Sequence, residues 1–263
     1  MNLPAMLDQV VDLVKQTGDF VRKEQLKFDT ARIEKKAKND LVSYVDRESE
    51  LRLVNGLKKI FPEAGFIAEE NTETKRGEYN WIIDPLDGTT NFIHSIPSYC
   101  ISVALASDTE VLIAVVQEVA RDECFYTCKQ YPSYLNGSII SVSTADKLED
   151  CLIATGFPVN YFDELEGYKN AIEFFVRNTH GVRRIGSAAA DLCYVACGRF
   201  SGFFEVNLKP WDVAAGALLV KNAGGVVCDF AGGTDWLFGR RIIASGQQIH
   251  ADFFSAVEKA FCK

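Results

Sequence analysis

Residues 81–92, WIIDPLDGTTNF, drive three apolar residues into Asp84, follow with a proline, and place Asp87, a glycine and two threonines next. Two carboxylates that close resist being ionised together. Asp84, at the end of Trp81-Ile82-Ile83, falls where a buried strand emerges, the usual position for ligand chemistry in layered α/β architectures. Pro85 cannot continue an interior ladder and is expected to turn the chain, so that Asp87 points back at the volume Asp84 faces. Gly88 permits close backbone approach, and Thr89, Thr90 and Asn91 are cap formers. A capped turn requires one carboxylate, whereas two converging anions call for a cation between them.

Outward from this stretch the pattern divides in two. Upstream, Val10, Val11, Val14, Phe20 and Val21 recur at helical spacing and predict a helix over 6–27, and a second helix is expected over 45–60, stopped by Pro62. The stretch between them, RIEKKAKNDLVSYVD (32–46), reads as a loop or hairpin, and residues 65–70 as a short strand ending in acid. Downstream, WIID, SYCISVALAS, EVLIAVVQEV, ECFYTCKQ and GSIISVS are closely spaced runs rich in β-branched and aromatic residues, the signature of an antiparallel meander. Beyond about residue 145 strands alternate with helices: CLIATG, helix 164–178, VRRIG, helix 187–197, FFEV, a helix from Trp211, GVVCDF, helix 248–261. The expected class is α/β, a sandwich of alternating helix and sheet layers. Two lobes are expected, 1–143 and 144–263, without a flexible linker, since no Gly/Ser/Pro-rich tract separates them.

With 48% apolar residues the chain can bury an ordinary core. Its 28 basic and 36 acidic residues leave a net charge of -8, the wrong sign for wrapping a phosphate backbone. Lys35, Lys36 and Lys38 form a short basic patch that reads as solvated loop lysines, so direct nucleic-acid binding is not expected. Asp8, Asp12, Lys15 and Asp19 interrupt the amino-terminal apolar residues, unlike a signal peptide, and nothing approaches a membrane span. The eight cysteines sit mostly in apolar runs with no Cys-x-x-Cys, and read as reduced core thiols of a cytoplasmic protein.

The ion follows from the ligands on offer. His94, His180 and His250 are scattered and the cysteines lie in apolar company, so an oxygen-only site is implied, favouring Mg²⁺, Mn²⁺ or Ca²⁺ over zinc. No calcium-loop spacing is present. Two segments can complete the cluster: AEEN, with Glu69 and Glu70, and KPWDVAAG, which puts Asp212 at a helix start. Taken singly, Asp212 reads as an acid favouring the helix dipole and the glutamates as a solvated turn.

WIIDPLDGTTNF together with WDVAAGALLVKNAGG (211–225) resembles the two signatures of the inositol monophosphatase family of Mg²⁺-dependent, lithium-sensitive phosphatases. The AEE segment stands at that family's spacing before the first signature, and the likeness runs through essentially the whole chain. The resemblance implies a sugar-phosphatase-like αβαβα architecture. It implies one metal held by Glu69, Asp84 and the Leu86 carbonyl, and a second held by Asp84, Asp87 and Asp212, with Mn²⁺ as an alternative ion. A third site near the basic loop EKKAKND (34–40) stays open. Glu69 and Thr89, with Asp46 behind Thr89, would orient and deprotonate the attacking water, and Asp87, Gly88, Thr89 and Asp212 would meet the phosphate. Gly186, Ser187, Ala188 and Glu205 would meet the alcohol. The implied reaction is hydrolysis of inositol 1-phosphate or a related polyol monophosphate by in-line attack of metal-activated water. Relatives with similar signatures act on adenosine 3',5'-bisphosphate, fructose 1,6-bisphosphate or the 2'-phosphate of NADP, although GRFSGFFE and GSAAADLCYVACG look more like the inositol monophosphatase branch. A non-catalytic regulator on the same fold is the rival of a different class. A homodimer is expected by analogy, with the apolar runs at 98–118 and 151–158 as candidate interface.

Overall fold

A computed structural model describes residues 1–27, 33–37, 40–158 and 163–261, with side chains outside 33–42. In chain order the elements are α1 (Leu3–Gln25), a hairpin of β1 (Ile33–Ala37) and β2 (Asp40–Ser43), α2 (Tyr44–Ile60), β3 (Gly65–Ala68), β4 (Tyr79–Asp87) and α3 (Thr89–Ile93). Next come β5 (Cys100–Ser107), β6 (Val111–Glu118), β7 (Glu123–Cys128), β8 (Tyr134–Leu135), β9 (Ser138–Ile139), β10 (Ile153–Thr155) and α4 (Leu165–Asn178). The chain continues through β11 (Val182–Arg183), α5 (Ala188–Ala196), β12 (Gly202–Val206), α6 (Pro210–Asn222), β13 (Val226–Cys228), β14 (Arg241–Ser245) and α7 (His250–Phe261).

Five layers result. Helices α1 and α2 cover one face of a seven-stranded sheet in the order β3-β4-β5-β6-β7-β8-β9, and α5 and α6 lie between it and a five-stranded sheet, β11-β10-β12-β14-β13. Helices α4 and α7 close the far side. Successive residues of a strand feed opposite layers: Trp81, Ile83, Val103 and Val115 pack towards α1 and α2, whereas Ile82, Ala104, Ala114 and Val116 pack towards α5 and α6. A sheet covered on both faces needs no polar alternation, which is why VLIAVV reads as one unbroken apolar run. It also means that the runs at 98–118 and 151–158, expected as a dimer interface, are largely consumed by the core, with residues 108–110 and Phe157 left exposed.

Three expectations need correction. The first sheet is not purely antiparallel, because edge strand β3 runs parallel to β4. Strand β14 lies between β12 and β13 yet is absent from the sequence reading, since Ile242-Ile243-Ala244 is a three-residue apolar core behind two arginines, too short for a periodic signal. Finally, Pro85 does not end β4. Pairing shifts from Asp84↔Ser102 to Asp87↔Cys100, with Pro85 and Leu86 on one strand against the single Ile101 on the other, so Pro85 sits in a bulge where no ladder donor is missed. In a regular strand positions 84 and 87 would face opposite sides; the extra residue brings both carboxylates to one side.

Among the described residues no helix is long and apolar enough to cross a membrane. Seven cysteines are free thiols; Cys262 lies outside the described residues, as do residues 38–39 of the basic loop.

Candidate active site

The bulge in β4 and the start of α6 meet. Carboxylate oxygens of Asp84, Asp87 and Asp212 all lie within 4.8 Å of one another. Asp84 is buried, and the backbone N–H of Leu86 donates to its Oδ1 at 3.0 Å. Asp212 is the third residue of α6, after Pro210, and its Oδ2 accepts from the Lys209 N–H at 2.6 Å. Asp87 Oδ2 accepts from the Ser187 hydroxyl and the Ala189 N–H, both at 2.7 Å, which clamps the bulge to the start of α5.

These contacts leave a surplus of negative charge. Burial pushes the Asp84 carboxyl well above the usual range, and the neighbouring Glu69, Asp87 and Asp212 push it further. Asp212 is raised in the same way, first by burial and then by Asp87. Asp87 is held at about 6, raised by burial and partly relieved by Ala189, Ser187 and the positive charge of Arg184. Three mutually repelling carboxylates on hard oxygen atoms, without imidazole or thiolate, are the donor set of Mg²⁺ or Mn²⁺.

Above the triad opens a cavity of about 280 Å³, lined among others by Glu69, Thr89, Ser187, Glu205, Asp212 and Arg184. Thr89 Oγ1 lies 2.9 Å from Asp46 Oδ1 and 3.0 Å from the Leu86 carbonyl, and its single proton can serve only one of them at a time. Asp46 is the acid of a capping box: its Oδ2 accepts from the backbone N–H and hydroxyl of Ser43 at 2.9 and 2.6 Å. Burial raises its carboxyl, and the Ser43 and Thr89 bonds offset part of the rise. Gly88 has φ +93°, and a Cβ there would stand 3.1 Å from the Ser98 carbonyl oxygen, so glycine meets both a left-handed backbone and a close approach.

The Inositol monophosphatase family model matches residues 3–260. The chain belongs to the inositol monophosphatase family. It is 40% identical over 253 residues to the Putative Nus factor SuhB of Neisseria meningitidis serogroup B, covering 95% of this chain and 97% of that one. Among solved structures it is similar to the extragenic suppressor protein suhB from Bartonella henselae, with a TM-score of 0.92 and 36% identity over 97% of this chain and 99% of that one. It is also similar to the Thermotoga maritima IMPase, with a TM-score of 0.88 and 34% identity over 97% of each chain.

On this inositol monophosphatase fold, Asp84, Asp87 and Asp212 form the tight cluster, while Glu69 lines the cavity without belonging to the set within 4.8 Å. Gly88, Gly186, Ser187, Ala188 and Glu205 line the same cavity; Asp46 and Leu86 stand behind it, buried. Sequence reasoning passed over Glu50 and Arg184, and read Asn91 only as a cap former. Glu50 of α2 is fully buried and accepts from the backbone N–H groups of Glu70 and Thr72 at 2.7 and 2.8 Å, holding the turn that follows Glu69. Asn91 donates to the carbonyls of Ser98 and Ile185 at 2.7 and 2.9 Å, tying α3 to the segment before Gly186. Arg184 brings positive charge to the rim. An acid on a buried helix face, as at Glu50, was the available signal, but its partners are backbone groups that no pattern encodes.

Proposed function

We propose that this chain is a Mg²⁺-dependent phosphoric monoester hydrolase acting on inositol 1-phosphate or a related polyol monophosphate. The convergence of Asp84, Asp87 and Asp212 carries the reading, because three crowded, partly buried carboxylates are costly unless a cation or a shared proton offsets them, and an all-oxygen set of three suits a hard cation. Glu69, Asp84 and the Leu86 carbonyl, and Asp84, Asp87 and Asp212, are the two ligand sets that would hold Mg²⁺. When bound, Mg²⁺ supplies positive charge that offsets a phosphate dianion, acidifies water and favours departure of the alkoxide.

The protein's own groups do the rest. Thr89, donating to Asp46, presents its oxygen to a water in the cavity and passes that water's proton towards the Asp46 carboxylate. Glu69, on the same wall, is a second acceptor and orients the water for in-line attack. The backbone N–H groups of Gly88 and Thr89 face the phosphate oxygens. Ser187, Ala188 and Glu205 hold the alcohol, and Asp87 keeps Ser187 in place. No covalent intermediate is invoked. Uncatalysed monoester hydrolysis is so slow that charge stabilisation and positioning must supply nearly all of an acceleration that reaches about 10²¹-fold in such enzymes.

The test is phosphate release from inositol 1-phosphate, sugar monophosphates and adenosine 3',5'-bisphosphate, with Mg²⁺ and with chelator. Turnover of the monoesters in Mg²⁺ alone supports the reading; no release from any ester refutes it. Lithium inhibition and a homodimer belong to the same proposal, tested in the same assay and by light scattering. So does a cytoplasmic location, for which the free thiols are the support.

A second role has its own support, since relatives at 36–40% identity carry the name Nus factor. With a net charge of -8, such a role would run through protein contacts rather than through direct grip on nucleic acid.

A further inference from the structure

On the wall of the cavity formed by α5 stands a carboxylate to which neither the triad nor the proposed mechanism gives a task. Asp191 is 1% exposed, lines the cavity, and its Oδ1 has no hydrogen-bond partner among the described residues. A buried acceptor left unpaired costs about 1–3 kcal/mol. Helix capping does not account for it: the Ser187 hydroxyl oxygen accepts the Ala190 N–H, and Asp87 Oδ2 accepts the Ala189 N–H. The start of α5 is therefore capped without Asp191. An ion pair does not account for it either: burial raises the Asp191 carboxyl well above the usual range, Glu205 and Asp87 add to the rise, and Arg184, at the rim, offsets only part of it. What Oδ1 lacks is a donor, and the cavity is where a donor can arrive.

We propose that Asp191 is a specificity-determining residue, accepting a hydroxyl of the leaving alcohol and selecting a neutral, hydroxyl-rich leaving group. The inference rests on the phosphatase reading above and narrows it. Glu205, 8% exposed on β12, faces the same space, so this wall carries two carboxyls against the one guanidinium of Arg184. Hydroxyl groups satisfy such a wall, whereas a second phosphate would bury its charge against two carboxyls with one guanidinium to offset the cost. Among the candidate substrates this favours polyol monophosphates over fructose 1,6-bisphosphate and adenosine 3',5'-bisphosphate. An enzyme that discriminates through a buried polar group loses that discrimination when the group is removed.

The experiment compares wild type with Asp191→Leu and Asp191→Asn, in Mg²⁺, on three esters: myo-inositol 1-phosphate, p-nitrophenyl phosphate, which has no hydroxyl, and fructose 1,6-bisphosphate. Asp191→Leu is expected to lower kcat/KM for the inositol ester by about 10- to 100-fold while leaving p-nitrophenyl phosphate within about 3-fold, and Asp191→Asn, which keeps an acceptor oxygen, to lose less. Preference over the bisphosphate should narrow in both variants. Melting temperature is the second readout: relief of an unpaired buried carboxylate should leave both variants at least as stable as wild type. Equal losses on the inositol and nitrophenyl esters, or a fall in melting temperature in both variants, overturns the assignment. If wild type hydrolyses no ester, the phosphatase reading fails. The shift in melting temperature caused by inositol 1-phosphate then decides: a shift lost in Asp191→Leu upholds the hydroxyl contact, and no shift in wild type removes it.

Discussion

Replacing Asp84 with asparagine should stabilise the metal-free protein while abolishing its use of Mg²⁺. Three carboxylates within 4.8 Å, if all ionised, repel by about 3.5 kcal/mol per pair at an effective dielectric constant of about 20. Asp84→Asn deletes two of the three pairs. The gain is capped, however, because the cluster can instead take up a proton. That costs about 1.4 kcal/mol for each pH unit above the ordinary carboxyl value near 4, or about 5 kcal/mol at pH 8. Since burial and mutual repulsion raise the folded-state values, this part of wild-type stability is fully present below about pH 4 and is lost as pH rises through the raised values. The variant's advantage must therefore grow with pH, from about 1.5 kcal/mol at pH 5 to at most about 5 at pH 8. At about 2 °C per kcal/mol for a chain of this size, that is a rise of at most about 10 °C in melting temperature. Calorimetry in chelator at the two pH values reads it directly. Adding Mg²⁺ should reverse the order, raising wild type and not the variant. If wild type in chelator melts at or above Asp84→Asn at pH 8, the cluster is not electrostatically strained and the reasoning fails.

Three further outcomes follow from single contacts. Glu50→Ala should cost about 2–4 kcal/mol of stability, because two backbone N–H groups lose their buried acceptor, and should weaken Mg²⁺ dependence by loosening the turn at Glu69; calorimetry and a Mg²⁺ titration of activity read the two effects. Thr89→Val removes the hydroxyl between Asp46 and the cavity and should lower kcat about 100-fold with KM little changed, measured by phosphate release. Gly88→Ala forces a Cβ into a left-handed residue against the Ser98 carbonyl and should lower stability by about 1–2 kcal/mol together with activity, seen in urea unfolding.

The layered architecture was legible because apolar period and turn chemistry agree along most of the chain: the helices over 3–25 and 44–60 and strands β5 to β7 lie close to where spacing put them. What escaped was set by tertiary contact. Strand β14 is too short to declare itself and exists because β12 and β13 offer ladders on both sides. The bulge at Pro85 hides behind a residue that reads as a strand terminator. The acids of the site were legible from their crowding in WIIDPLDGTTNF and from the second signature, but their supports were not. Glu50, Asn91 and Arg184 act on partners 7 to 94 positions away or through charge across a cavity, and Asp191 is visible only as an acceptor without a donor.

The central claim is that Asp84, Asp87 and Asp212 cage a divalent cation. Anomalous scattering from a crystal of the protein soaked in Mn²⁺ tests it most directly. A peak within coordination distance of oxygens from all three aspartates is the predicted result; an intact cluster with no peak, or Mn²⁺ bound only elsewhere, would contradict it.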